Sequence, residues 1–206
     1  MQVVKGDNAV NLIERAKAFA TKAHEGQMRK DGKNPYITHP EAVAKYVAES
    51  EYARTVWPES IIAAAWLHDV VEDCNVTLGE IEKEFGPKVR HLVDGVTDFK
   101  LLKPRVVRHY AFTMKVYNYA LNDNGVMLIK LCDMMHNLET SDGVGPEFRR
   151  VMAAEKLCAL DTWEKLMRAD NDNYMGGSSS ITQFFPKLRS KCLEILPELK
   201  EWPYNA

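Results

Sequence analysis

The chain has 206 residues, 46% apolar and 27% charged, with a formal net charge of −2. That is the balance of an ordinary globular protein, long enough to bury a real core as one domain or a tight pair. It has no global basic field to draw nucleic acid and no apolar run near the ~18 residues of a membrane span, so neither partner is expected.

Cys74, Cys132, Cys158 and Cys192 are scattered without a C-x-x-C pair, which favours free thiols over disulfides or a thiolate zinc site. With no signal-peptide pattern at the N-terminus, the expected location is the cytoplasm. Alternating strand patterns are nearly absent and most segments carry helical spacing, so the fold is expected to be all-α, a helical bundle.

In chain order, Asn8 can cap a first helix with Val10, Ile13, Ala16, Ala20 and Ala23 as its stripe and Gly26 as its stop. A basic loop punctuated by Gly32 and Pro35 follows, carrying Arg29, Lys30 and Lys33. Thr38-His39-Pro40-Glu41 fits a capping box, which puts His39 at the start of a helix running through Val43 and Val47.

Residues 61–73 organise the rest: an apolar run, Ile61 to Leu67, meets His68-Asp69, then Val70-Val71, then Glu72-Asp73. Its length and alanine content predict one helix buried on most faces. Acids at a helix C-terminus meet the negative end of the dipole, and burying them unpaired costs several kcal/mol more, so a cation is expected beside them. On a continuous helix His68 lies above Glu72 and Asp69 above Asp73.

Thr77-Leu78-Gly79-Glu80 is a second capping box, opening a helix that Gly86 closes and Pro87 restarts through Val96. Residues 104–121 read as a helix whose Arg105, Arg108 and Lys115 form a solvated polar face. Residues 126–140 form a second apolar helix with a misplaced acid, Asp133, sharing its face with Asn137 and, a turn on, Thr140. Residues 147–169 read as a long amphipathic helix, 176–180 as a Gly/Ser loop, and a terminal segment from Phe184 to Leu196 as packing back on the bundle.

His39, His68-Asp69 and Asp133 supply two imidazoles and two carboxylates, a donor set suited to six-coordinate Mn²⁺, Fe²⁺ or Mg²⁺ rather than a closed structural zinc site. Such an ion activates water and neutralises phosphate oxygens, the chemistry of phosphoester hydrolysis.

The His…His-Asp…Asp order resembles the HD phosphohydrolase superfamily. Ala23-His24-Glu25-Gly26-Gln27, Arg29-Lys30, Pro35-Tyr36-Ile37 and His39-Pro40 resemble the opening of the RelA/SpoT hydrolase domain. So do residues 64–73, Phe85-Gly86, residues 92–97, Leu128-Ile129-Lys130-Leu131, Asp133 and His136-Asn137. The resemblance runs through roughly residues 9–140 and implies an HD-domain helical bundle; residues 1–145 are expected to form that metal-dependent hydrolase core, and 146–206, which carry no family motif, C-terminal helices packed on the same domain. It also implies a stand-alone small alarmone hydrolase, since no synthetase domain follows, removing pyrophosphate from the 3′ position of (p)ppGpp. By the same resemblance His39, His68, Asp69 and Asp133 ligate the metal, usually Mn²⁺, and Glu72 and Asp73 are the catalytic acids. Arg29 and Lys30 lie against the nucleotide, Asn137 contacts the base and Thr140 the ribose.

The family commonly has arginines where this chain has Met134 and Glu139, which puts substrate preference in question. The alternatives are another small phosphorylated nucleotide (a deoxynucleotide or an NADPH 2′-phosphate) and a non-catalytic nucleotide sensor. The partner expected in each case is a small nucleotide, and a homo-oligomer is left open.

Overall fold

The structure, a computed structural model, describes residues 11–169 and 179–197. Asn8, Val10 and residues 176–178 lie outside that range. The fold is all-α, and among the described residues the only extended pairing is an isolated bridge between Met28 and Pro35. No helix among them is long and apolar enough to cross a membrane.

Helix α1 (Leu12–Ala23) is capped by Asn11, whose side chain accepts from the Ile13 N–H at 2.8 Å. Helix α2 (Thr38–Glu49) begins without the expected capping box. The Glu41 N–H is already taken by the Ile37 carbonyl at 3.1 Å, and the Thr38 hydroxyl donates to the Pro35 carbonyl at 2.8 Å. Thr38 therefore sits inside the first turn rather than before it. A short α3 (Glu51–Thr55) leads to the central helix.

The predicted continuous helix over 61–73 is two: α4 (Pro58–Leu67) and a single turn, α5 (Val70–Asp73). The break has a local cause. His68 Nδ1 donates at 2.8 Å to the carbonyl of Ala65, the acceptor that an unbroken helix would offer to the Asp69 N–H. Adjacent residues on a regular helix do not face each other. Here His68 Nε2 and Asp69 Oδ2 stand 3.1 Å apart.

Thr77 and Glu80 form the predicted capping box of α6 (Leu78–Phe85), and Pro87 opens α7 (Pro87–Val96) across Gly86. Then come α8 (Arg105–Ala120), α9 (Asn124–Glu139) and the long α10 (Pro146–Ala169). Ser179 already belongs to the turn α11 (Ser179–Thr182), which precedes α12 (Phe184–Ile195).

Helices α4 and α9 form the centre. The first is packed by α1, α2 and α7, the second by α2, α7, α8 and α12, and the two touch each other. A helix enclosed on nearly all sides must be apolar all round. Ile61, Ala63, Ala64, Ala65, Leu67 and, in α9, Val126, Leu128, Ile129 and Leu131 are accordingly fully buried. Helix α10 packs on α8 and α12, with Trp163 in the core donating its indole N–H to the Thr113 carbonyl at 2.9 Å.

Candidate metal centre and cleft

The acids and imidazoles flagged by the sequence sit where α2, the α4–α5 break and α9 meet. His39, on the first turn of α2, directs Nε2 to within 3.2 Å of His68 Nε2, 3.5 Å of Asp69 Oδ2 and 3.2 Å of Asp133 Oδ1. Cis ligands on an ion bound at roughly 2.1 Å would stand about 3.0 Å apart, so these separations suit a shared cation.

The proton inventory agrees. Because a carbonyl only accepts, His68 carries its proton on Nδ1, and neutral His68 presents a bare Nε2 to a bare carboxylate and a second imidazole. Burial alone would lower the His68 pKa, but the charge and hydrogen bond of Asp69, with Asp133 behind, lift it to about 9. Burial pulls that of His39 down. Lone pairs facing one another this way call for a proton or a metal ion. His39, His68 and Asp69 form the tight cluster able to hold a metal ion among the described residues. Asp133 joins it through His39, its oxygens accepting from Lys130 Nζ at 2.8 Å and from the Asn137 amide. Burial would raise the Asp133 carboxyl, yet Lys130 and His39 hold it well below the usual range.

Glu72 and Asp73 line the cleft above this cluster. Burial, reinforced by the charge of Asp69, pushes the Glu72 carboxyl up to about 7 although it accepts from the Asp98 N–H at 2.7 Å. Asp73 pairs with Lys100. Tyr36 links the acids to the His39, His68 and Asp69 cluster: its hydroxyl donates to Asp69 Oδ2 at 2.6 Å and lies 3.1 Å from Asp73 Oδ2. The Tyr36 ring stacks on His24 with centroids 4.6 Å apart.

The cleft encloses about 930 Å³. Arg29 Nη2 donates to Asn137 Oδ1 at 3.1 Å and Thr140 Oγ1 at 3.2 Å, so residues from distant parts of the chain share one wall. Lys30 sits 3.9 Å over the Phe148 ring, and burial, then Arg105 and Arg29, lowers its pKa. Every predicted site residue except His68 borders this cleft, and His68 lies beneath it in the cluster.

Three expectations change. Arg105 and Arg108 border the cleft rather than forming a merely solvated face, Arg105 paired with Glu155 at 2.6 Å and Arg108 with Asp98 at 3.4 Å. Lys115 is held by Asp94 at 2.9 Å. Met134 is buried in the core, and Glu139 bonds to Tyr46 and pairs with Lys191 at 3.5 Å in a separate cavity between α2, α9 and α12. Neither position that departs from the family arginines borders the cleft. Tyr36, Lys100, Lys130, His136 and Lys156 were not singled out for a role. Lys130 and His136, at i−3 and i+3 from Asp133, had a helical signal that would have found them.

Comparison with known proteins agrees with this geometry. The family model described as HD domain matches residues 16–169. A human protein named guanosine-3′,5′-bis(diphosphate) 3′-pyrophosphohydrolase MESH1 is 38% identical over 143 residues, covering 69% of this chain and 75% of that protein. The Escherichia coli (strain K12) protein named bifunctional (p)ppGpp synthase/hydrolase SpoT is 36% identical over 159 residues, 76% of this chain. This chain spans 18 to 22% of the length of that and similar long bacterial relatives. A solved structure described as a metazoan ortholog of SpoT that hydrolyses ppGpp superposes with a TM-score of 0.68 at 25% identity, covering 95% of this chain and 99% of that one. The matched family and the convergence of its histidines and aspartates on one point agree: the chain belongs to the HD domain family.

Proposed function

We propose that this chain hydrolyses the ribose 3′-pyrophosphate of ppGpp or pppGpp to GDP or GTP and inorganic pyrophosphate. A divalent ion, Mn²⁺ by preference, is held by His39, His68, Asp69 and Asp133. The observation that carries the reading is the convergence of two imidazoles and two carboxylates beneath a cleft bordered by a second acidic pair and several cationic side chains. Its human relative of comparable length bears the name of this activity.

When bound, the ion supplies positive charge to phosphoryl oxygens and makes its water more acidic. Glu72, whose raised pKa suits a group that must take up a proton near neutrality, removes a proton from the attacking water. The water oxygen bonds to the phosphorus attached to the ribose 3′-oxygen, the bond from that phosphorus to the 3′-oxygen breaks, and the freed oxygen takes a proton. Asp73, fixed by Tyr36 and Lys100, orients the water. Arg29 and Lys30 lie against the nucleotide, Asn137 meets the base and Thr140 the ribose. Among the described residues, those up to 145 and those from 146 on act as one domain, because α10 contributes Phe148, Met152, Glu155 and Lys156 to the cleft.

The test is product identification by anion-exchange chromatography after incubating ppGpp with the metal-loaded chain. GDP and pyrophosphate in equal amounts are expected with Mn²⁺ and are lost in Asp69→Ala. Intact ppGpp with each of Mn²⁺, Fe²⁺, Co²⁺ and Mg²⁺ would overturn the reading.

A further inference from the structure

The cations bordering the cleft are nearly all engaged. Arg29 is bonded to Asn137 and Thr140, Lys100 to Asp73, Arg105 to Glu155, Arg108 to Asp98 and Lys130 to Asp133. Lys30 rests on the Phe148 ring. Lys156 differs. It borders the same cleft from α10, and among the described residues its ammonium has no hydrogen bond and no ion pair.

Lys156 is also half-buried. Phe148, Met152 and Lys156 recur every four residues, so they form one helical stripe turned to the cleft. An ammonium withdrawn from water without a counter-ion is unfavourable unless something anionic arrives. The local field says where. Burial lowers the Lys156 pKa; of the charges acting on it, Asp133, which raises it, and Lys130, which lowers it, come ahead of Cys192 and Glu155, so the strongest stand at the metal end of the cleft. Asp133 cannot serve as its full partner, since its oxygens already accept from Lys130 and Asn137.

We propose that Lys156 binds the outer phosphate of the leaving pyrophosphate, which makes it a substrate-binding residue that distinguishes a pyrophosphoryl from a single phosphoryl group. The name of the leaving group rests on the proposed reaction. The need for an anion beside Lys156 rests on its place in the cleft wall and its partial burial. The lysine keeps its three N–H donors for that phosphate and carries no proton to or from the reacting bond. A ligand with one phosphate at the metal end leaves Lys156 unanswered, and one with two satisfies it.

The experiment is calorimetric titration of the Mn²⁺-loaded full chain with inorganic pyrophosphate and, separately, with orthophosphate. It compares wild type, Lys156→Met, which keeps the apolar stem, and Lys156→Arg. Lys156→Met should weaken pyrophosphate about tenfold or more, the usual size for a charge-assisted hydrogen bond, and change orthophosphate by less than about twofold. Lys156→Arg should recover most of the loss, and thermal melting should show all three chains folded. Unchanged pyrophosphate affinity in Lys156→Met, or equal losses for both anions, would overturn the assignment. Neither titration needs turnover. Failure to cleave ppGpp with a selective pyrophosphate loss would sink the proposed reaction alone, while normal cleavage without that loss would sink only the role of Lys156.

Discussion

His136 Nδ1 lies 2.7 Å from Nδ1 of His39, the two rings tilted with centroids 4.9 Å apart. One of these nitrogens must carry the shared proton. If His39 Nε2 is to ligate an ion, its proton belongs on Nδ1, donated to His136, which then protonates on Nε2. Burial, then the charges of His39 and Arg29, pushes the His136 pKa down to about 4, so it stays neutral and able to accept. His136 would thereby fix the tautomer of the imidazole proposed to bind the ion. Replacing it by Ala should weaken Mn²⁺ binding roughly 10- to 100-fold, as loss of such an outer partner does. Calorimetric titration with Mn²⁺ checks this, and an unchanged affinity would refute it.

Metal binding should release a proton from His68. Its metal-free pKa of about 9 means that it is protonated at neutral pH, and an imidazole must be deprotonated to ligate through Nε2. Apparent affinity should therefore climb with pH until about 9. Titrations at pH 7 in two buffers of different ionisation enthalpy should differ by the heat of about one proton per site. Identical heats would contradict the assignment. The same raised pKa stabilises the metal-free fold below about 6.5, the value in the unfolded chain, and that contribution disappears as pH rises through about 9. Melting of the chelator-treated chain should fall across that window and do so less in His68→Gln.

The hydrolytic rate should depend on ionised Glu72. Its carboxyl titrates near 7, so kcat should rise about tenfold per pH unit well below that value and level off above it. Glu72→Gln should cost roughly 10²- to 10⁴-fold in kcat with little change in thermal melting. A pH profile of kcat that is flat between 5 and 8 would contradict the base role.

Tyr36 offers one hydroxyl to two carboxylates, Asp69 at 2.6 Å and Asp73 at 3.1 Å. Burial, then Asp69, keeps its phenol protonated. Tyr36→Phe retains the stacking on His24 and removes only the donor, so kcat should fall about 10- to 100-fold, the range for a hydrogen bond to a charged group. If kcat and Mn²⁺ affinity both match wild type, Tyr36 does not orient these acids.

Much of this arrangement is legible in the chain. Apolar or alanine-rich turns could belong to any bundle, but His68-Asp69 and Asp133 follow runs too apolar to face water, and only a cation makes them tolerable. The Thr77/Glu80 capping box and the Pro87 start are local bonding rules, and the structure keeps both. The Thr38/Glu41 box fits the same rule and fails, because the turn made by Pro35 and Ile37 had already bonded the N–H groups it would have capped. The break at His68 was hidden for a similar reason: helical periodicity does not reveal that an imidazole will take the Ala65 carbonyl from the next residue.

By itself the sequence determined most of the long helices, the two apolar segments at the centre, and which side chains were too polar for their surroundings, since all of these follow from periodicity and desolvation within a few residues. Only the tertiary structure decided which polar faces meet across the cleft. Arg105 looks solvated until α10 brings Glu155 to it, and Lys156 looks like one more surface lysine until the same helix turns it toward Asp133. Local hydrogen bonding and periodicity act within a turn or two, whereas the pairing of polar groups from residues over a hundred positions apart, as in Arg29 with Asn137, is set by packing of whole helices around the buried core.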